Sequence, residues 1–433
     1  MTKKYILIIL ALSLATHFVL FSYPAETVFD EVHFGKFISG YFTGEYFFDI
    51  HPPLGKLIIA GAAKISGFQP GFSFQTIGQD YPDDSYKWLR FLPKLAGAFL
   101  PVVIFLIALA LGLSQKSAFL AGLLIVFENS LLVQSRLILL DSFLLLFGFL
   151  GVLFFLKFLS SNSTYYLLLT TFFSALAFSV KWTGLTFLAV ILLSYFINWL
   201  KSDGKIKLAA KGLMFLIIIP FIIYFSIFAV HFSLLNKPGP GLAFHPPNFQ
   251  QMSIFGKFIE LNKELYQSNA RLTASHPYSS QWYEWPFMTR SIYYWNDPSS
   301  AEASEGTVAR MYLLGNPLIW WLSTVFIIYS LINFRKFKSS TFYFLLSTYF
   351  LNWLPFILIG RVMFLYHYFT SLIFAVLIMV YVLNKPEFKH KKTVYNAILI
   401  GSIILFLFFS PLTYGLAIPE EYYKLIVWLP SWR

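Results

Sequence analysis

Five side chains suited to acid–base chemistry crowd one short stretch. Asp30, Glu31 and His33 lie in FDEVHFGKF (29–37), and Asp49 and His51 in GEYFFDIHPPLGKL (44–57). Carboxylates and imidazoles are groups that can exchange protons with a bound ligand. Adjacent side chains leave the backbone in different directions, so only one of Asp30 and Glu31 faces a given ligand. The same pair also suits a helix start, where acids favour the dipole and Asp can cap. In HPP the prolines pin the backbone and push His51 into an extended conformation, although Pro at a first helical position reads equally well.

A second group of ionisable residues sits within or beside apolar runs. These are Arg90 in YKWLRFLP, Glu128 in VFENS, Arg136 and Asp141 in QSRLILLDS, Lys181 in SVKWTG, and Arg361 in GRVMFLYHY. A charge near a bilayer centre costs roughly 2.5–3.5 kcal/mol even on a lenient insertion scale, so such residues face a bundle interior and pair or bind ligand. Arg136 and Asp141, five apart, could pair across a helix bend, while Lys181 and Arg361 at span ends could simply snorkel. Arg90, Lys181 and Arg361 nevertheless fall on the same side as the acidic stretch. Cations gathered where a carboxylate-rich loop enters the membrane describe a site for an anionic lipid headgroup, most simply a phosphate.

Other catalytic frameworks find little support. No GxxxxGK[ST], GxGxxG or HExxH pattern occurs, and the absence of Cys removes thiolate sites and a Cys nucleophile. His33 with Asp30, Asp49 or His51 has the residue types of a metal site but no distinctive spacing.

The elements that must position these groups are membrane helices. Of 433 residues, 58% are hydrophobic, 20% aromatic and 12% charged, where soluble domains carry about 25% charged residues. With a mean hydropathy of +0.67, this composition predicts a polytopic all-α membrane protein and excludes a soluble enzyme or a disordered chain. A span needs about 20 apolar residues. Eleven segments qualify, roughly 5–22, 89–113, 118–132, 138–158, 165–180, 183–200, 210–231, 314–333, 340–358, 363–384 and 393–415. Those at 118–132 and 165–180 are short and read as tilted or partly re-entrant. The first reads as a retained helix, because YPAETVFDE after it offers no small-residue cleavage site.

Charge sets the orientation. With the N-terminus cytoplasmic, fifteen of the 32 Lys and Arg lie in inside segments, against only Asp203 and Glu387 among 20 acids. The net +12 is thus a positive-inside signature rather than a nucleic-acid surface. The outside then receives loops 23–88 and 232–313 and the C-terminal tail, within one integral-membrane catalytic domain spanning 1–433. Ile254–Ala270 has helical spacing, as a helix on the membrane surface or an ordinary helix of the loop. The aromatic run HPYSSQWYEWPF (276–287), with His276, Tyr278 and Trp282, covers a sugar or peptide site or packs the loop onto the membrane.

FDEVHFGKF, YFFDIHPPLGKL, SRLILLDS, SVKWTGL, HPYSSQWYEWPF, LLGNPLIWW and RVMFLYHY occur in this order. Together they resemble the protein O-mannosyltransferase family, the polyprenyl- (dolichyl-) phosphate-mannose–protein mannosyltransferases of the C-type glycosyltransferase superfamily. The resemblance implies inverting transfer of mannose from a lipid phosphate carrier to Ser or Thr hydroxyls of acceptor polypeptides on the extracytoplasmic face. It makes Asp30 the catalytic base and associates Glu31 with acceptor binding and site integrity. Arg90 matches the arginine that closes the first external loop. Arg136, Lys181, Arg361 and His367 become candidates for holding the carrier phosphate or the site. His33, Asp49, His51, Asp141, His276, Tyr278 and Trp282 shape the site or meet the acceptor. No cofactor is implied, the lipid-linked sugar being a co-substrate, while a divalent metal stays open. The β-trefoil insert of eukaryotic members is absent, and the compact form is similar to prokaryotic members of the plasma (inner) membrane.

The chemistry agrees with that expectation. A Ser or Thr hydroxyl needs a carboxylate to take its proton as it attacks, and displacement at an anomeric carbon passes through an oxocarbenium-like state. The leaving group is already a phosphate, so it needs cations rather than a general acid. A related C-type transferase that glycosylates an envelope lipid would share these features. A transporter of polyprenyl-linked sugars would instead show paired repeats, and none is found.

Overall fold

The computed structural model describes residues 2–201, 205–273, 275–297, 306–388 and 390–433. Asp203 and Lys389, part of the charge asymmetry above, lie outside them. The first half of the chain forms α1 (Thr2–Phe18), α2 (Glu31–Thr43), α3 (Leu54–Ile65), α4 (Tyr86–Ala110), α5 (Gln115–Val126), α6 (Asn129–Ser135), α7 (Asp141–Ser161), α8 (Thr164–Val180) and α9 (Leu185–Leu200). Next come α10 (Lys205–Leu213), joined by a π turn to α11 (Ile219–Leu234), and α12 (Ile254–Arg271). After strands β1 (Ile292–Asp297) and β2 (Thr307–Leu313) follow α13 (Pro317–Ile332), α14 (Ser340–Trp353), α15 (Phe369–Asn384) and α16 (Lys391–Tyr414). A short strand β3 (Ala417–Pro419) and α17 (Glu420–Ile426) end the chain.

Among the described residues seven helices are long and apolar enough to cross a bilayer, and an eighth if α5 and α6 count as one span. The other three expected spans correspond to α1, α8 and α13, of 17, 17 and 16 residues. These fall short of the roughly 20 residues that a perpendicular crossing takes. The 118–132 segment is bent by 57° between α5 and α6. The bend has a cause in Glu128, which leaves helical geometry to cap α6 and accepts hydrogen bonds from Leu131 N, Ser130 Oγ, Asn316 N and Trp320 Nε1 at 2.6–2.9 Å. Four donors meet a carboxylate that hydrocarbon alone would reject.

The long loops lie at one end of the bundle, packed on each other. Phe29 N–H donates to the Tyr294 carbonyl at 3.2 Å. The backbones at Glu45 and Lys237 pair through Tyr46 N to the Lys237 carbonyl and Lys237 N to the Gly44 carbonyl, at 3.1 and 2.9 Å. Contact is close because the NKPGPG turn has no side chains in the way. A Cβ on Gly239 would lie 2.4 Å from the Tyr46 carbonyl oxygen, and one on Gly241 2.3 Å from the Phe47 carbonyl carbon. The tail joins the same layer through Trp432 Nε1, which donates to the Met288 carbonyl at 2.8 Å.

This layer corrects the all-α expectation. β1 and β2 pair antiparallel with a register shift between Tyr293 and Trp295, and β3 adds to β2. The aromatic and β-branched residues of IYYWND and TVARMYL favour a pleated surface and place Tyr294, Trp295 and Met311 in the core. Two of the Lys-bearing segments, those around Lys116 and around residues 385–392, meet at the other end, where Ser117 Oγ bonds Asn384 Oδ1 at 2.7 Å and Tyr395 Oη at 2.8 Å. α12 follows the predicted Ile254–Ala270 helix and turns Phe258, Leu261 and Leu265 inward.

Candidate active site

Residues 27–31 form a tight turn into α2, with Phe29 at φ 48°. That left-handed conformation is uncommon for an aromatic residue. Here the Phe29 ring stacks on Tyr294, centroids 4.0 Å apart. The turn sends the two neighbouring acids opposite ways. Glu31 is fully buried and accepts five hydrogen bonds, from Val28 N, Ile138 N, Tyr81 Oη and both Nε and Nη2 of Arg90, at 2.6–3.2 Å. Arg90 is equally buried and spends its remaining donors on the Pro24 and Glu26 carbonyls, at 2.6 and 2.8 Å. This hub clamps the start of the first long loop onto α4.

Asp30 faces a cavity of about 660 Å³ that is also lined by His33, Asp49, His51, Arg361 and Tyr366. A more enclosed chamber lies beyond it, lined by Asp141, Lys181, Asn269 and His367. Ile50, His51, Arg361 and Tyr366 line both, so the two form one cleft. Its other carboxylates are engaged. Asp49 is ion-paired to Lys56, whose ammonium also donates to the His51 and Pro52 carbonyls. Glu264 accepts from Ser268 Oγ at 2.7 Å, and Asp141 accepts from Lys181 Nζ at 2.8 and 2.9 Å and from Gln134 Nε2 at 2.6 Å. Among the described residues the Asp30 carboxylate makes no hydrogen bond or ion pair. Burial raises its pKa to about 7, working against the opposing pull of Lys181.

The cations differ in the same way. Lys181 is balanced by Asp141 and lies 5.3 Å from the Tyr366 ring centroid. Arg361 has no carboxylate partner among the described residues; it donates to Asn269 Oδ1 and the Val362 carbonyl. Its loop is pinned from both sides by Val362 N to the Leu272 carbonyl and Ser280 N to the Met363 carbonyl, at 3.1 and 3.0 Å. His367 Nδ1 lies 3.1 Å from Phe364 N, and Nε2, in the chamber wall, has no partner among the described residues. Burial, then Lys181, lowers the His51 pKa well below its ordinary value, so the ring is neutral.

The structure thus brings together Asp30, His33, Asp49, His51, Asp141, Lys181, Arg361 and His367. Glu31, Arg90 and Arg136 lie behind the cleft. Arg136 does not pair with Asp141 as its spacing allowed. Its guanidinium donates to the carbonyls of His17 in the last turn of α1 and of Val19 and Leu20 just beyond it, and lies over the Tyr414 ring. His276, Tyr278 and Trp282 do not line the cleft. They brace it: the His276 ring meets Phe364, Tyr278 stacks on Tyr293, and the Trp282 carbonyl accepts from Trp353 Nε1 at 2.8 Å. Sequence reasoning passed over Lys56, Asn269 and Tyr366. A lysine three residues after HPP in an apolar helix start was a signal for Lys56; a polar residue on an amphipathic helix gave none for Asn269. Among the described residues no three His, Asp or Glu side chains are grouped to hold a metal ion.

Residues 7–236 match the family model described as dolichyl-phosphate-mannose-protein mannosyltransferase, and residues 254–432 match the C-terminal four-helix membrane region of protein O-mannosyltransferase. Protein O-mannosyltransferase 1 of Drosophila melanogaster is 31% identical over 72% of this chain and 37% of its own length. The chain spans between 27% and 37% of the curated relatives it matches. In fold it is similar to the donor-bound Saccharomyces cerevisiae protein O-mannosyltransferase Pmt1–Pmt2 complex, with TM-score 0.91 and 21% identity over 100% of this chain and 92% of the other. ArnT from Cupriavidus metallidurans, bound to undecaprenyl phosphate, is more distant at TM-score 0.58 and 12% identity, over 93% of this chain and 63% of that one. Motif order, fold and family models agree: the chain belongs to the dolichyl-phosphate-mannose–protein mannosyltransferase family.

Proposed function

We propose that this chain is an inverting glycosyltransferase that moves mannose from a polyprenyl (dolichyl-type) phosphate to Ser or Thr hydroxyls of proteins. The observation that carries the reading is one cleft lined both by a carboxylate, Asp30, and by a guanidinium, Arg361, that among the described residues have no partner and no counter-charge respectively. Asp30 takes the hydroxyl proton as the oxygen attacks the anomeric carbon; the bond to phosphate breaks, and Arg361, Lys181 and His367 receive the anion. Attack opposite the phosphate inverts the centre and leaves no covalent sugar–enzyme intermediate. Glu31 and Arg90 act as positioning residues through the turn that carries Asp30, and Arg136 positions the end of α1.

The same reading takes the chain as a single integral-membrane catalytic unit with eleven spans, α1, α8 and α13 included. It places the N-terminus in the cytoplasm and the cleft on the extracytoplasmic side of a plasma membrane, because the basic segments collect at the end away from Asp30. The test is reconstituted protein with labelled polyprenyl-phosphate mannose and a Ser/Thr peptide in lipid vesicles. Label on the peptide is the expected result, and label on lipid alone would replace this reading with an envelope-lipid transferase.

Two further outcomes follow from the charges. Arg361→Ala should weaken equilibrium binding of the lipid phosphate by roughly 10- to 100-fold, the range for a charge-assisted contact, with little change in peptide KM. Lys181→Ala should weaken it more, since Asp141 would then face the phosphate unbalanced, and adding Asp141→Asn should restore part of the loss. Equal donor affinity in all these proteins removes the phosphate clamp. The pH profile is the other outcome. A base must be ionised to act, so kcat/KM should climb about tenfold per unit in acid and level off above a free-enzyme inflection at about 7. A flat profile from weakly acid to weakly alkaline solution contradicts the desolvated carboxylate.

A further inference from the structure

At the end of the bundle opposite Asp30, α1, α5, the end of α15 and the start of α16 enclose another cavity of about 560 Å³. Chain direction fixes its place. Tyr5 near the start of α1 lines it, while the carbonyls just past the end of that helix are held by Arg136. α16 starts here at Lys391 and ends beside the first long loop, where Tyr23 Oη donates to the Gly415 carbonyl at 3.1 Å.

The lining is two-faced. Lys116, Lys391 and Lys392 stand on the polar side with the Tyr395 phenol, and no Asp or Glu joins them. None of the three lysines is in an ion pair among the described residues; Lys391 Nζ donates to the Asn384 carbonyl at 2.6 Å, and Lys116 and Lys392 are exposed. The other side is apolar, with Tyr5 tilted against Phe119 at a centroid distance of 4.5 Å. Three uncompensated ammonium groups call for an anion, and the apolar wall next to them calls for hydrocarbon.

We propose that this cavity binds the phosphodiester headgroup of an anionic membrane lipid, with the first part of an acyl chain against Tyr5 and Phe119. The site is separate from the mannosyl donor's, which lies at the other end, and does not depend on the transferase reading. A free phosphate would satisfy the lysines but leave the apolar wall uncovered. A bound lipid would add to the contacts of Tyr5 with Phe119 and of Ser117 with Tyr395 that already join α1, α5 and α16.

The full chain in phosphatidylcholine nanodiscs, with a minor fraction of phosphatidylglycerol carrying a photoreactive headgroup, provides the test. Cross-links should map to residues 114–120 and 391–399. In K116Q/K392Q, which removes two exposed lysines that make no hydrogen bond among the described residues, the yield at equal lipid should fall about tenfold or more, and millimolar inorganic phosphate should not compete in the native chain. Cross-links confined to other segments, or an unchanged yield in the variant, overturn the proposal. Full competition by inorganic phosphate overturns the lipid assignment in favour of a free anion.

Discussion

Asp30→Asn is expected to give a folded protein that binds donor lipid normally and transfers mannose at least about a hundred-fold more slowly, the lower end of what a positioned base contributes. Asn is nearly isosteric and cannot accept the hydroxyl proton. Among the described residues nothing depends on the Asp30 carboxylate for a hydrogen bond, because the turn around it is held by Glu31, Val28 and Phe29. Stability separates this from a folding defect. The folded-state pKa of Asp30 is raised, so the unfolded chain ionises first as pH rises, and the native state loses stability from the ordinary carboxylate range up to about 7. Above that the full penalty is present. Asp30→Asn never incurs it, so at pH 8 the variant should unfold at the same temperature as the native protein or higher. Near-native turnover on a labelled peptide would remove Asp30 as the base.

The acidic stretch, the cations at the span ends and the helical membrane class were all legible in the sequence, because burying a charge in hydrocarbon is costly enough to mark its residue wherever it occurs. Partners were not. Arg90 reads as one of several outside cations, yet its carboxylate is 59 residues away in Glu31, and only the fold brings them together. Arg136 and Asp141 are close in sequence and take different partners, since the α6 to α7 connection sends one toward α1 and the other toward α8. Adjacency predicted that Asp30 and Glu31 diverge, but which of them meets the cleft depends on distant partners, Arg90 holding Glu31 and Phe29 stacking on a strand more than 250 residues downstream. That strand was itself unread: in a chain dominated by apolar helices, six aromatic-rich residues of a loop carry too short a period to stand out.

The hub behind the cleft carries the other large effect. Arg90→Ala would leave Glu31 in place, fully enclosed, with its charge met by only Val28 N, Ile138 N and Tyr81 Oη. Removing one partner of a buried ion pair typically costs about 3–5 kcal/mol, because the remaining charge is stranded away from water. The Pro24 and Glu26 carbonyls lose their donors at the same time. Thermal unfolding in detergent micelles should therefore show a large drop for Arg90→Ala, while Arg361→Ala, whose side chain contacts one amide and a neighbouring carbonyl, should unfold near the native temperature. Lysine does not rescue Arg90, since a single ammonium cannot span both Glu31 oxygens and two carbonyls. The double variant Arg90→Met/Glu31→Gln separates charge from shape. It removes the stranded carboxylate and should be more stable than Arg90→Ala alone. If Arg90→Ala unfolds like the native chain, the pair is not what fixes the loop, and the orientation of Asp30 must come from Phe29 and Tyr294 instead.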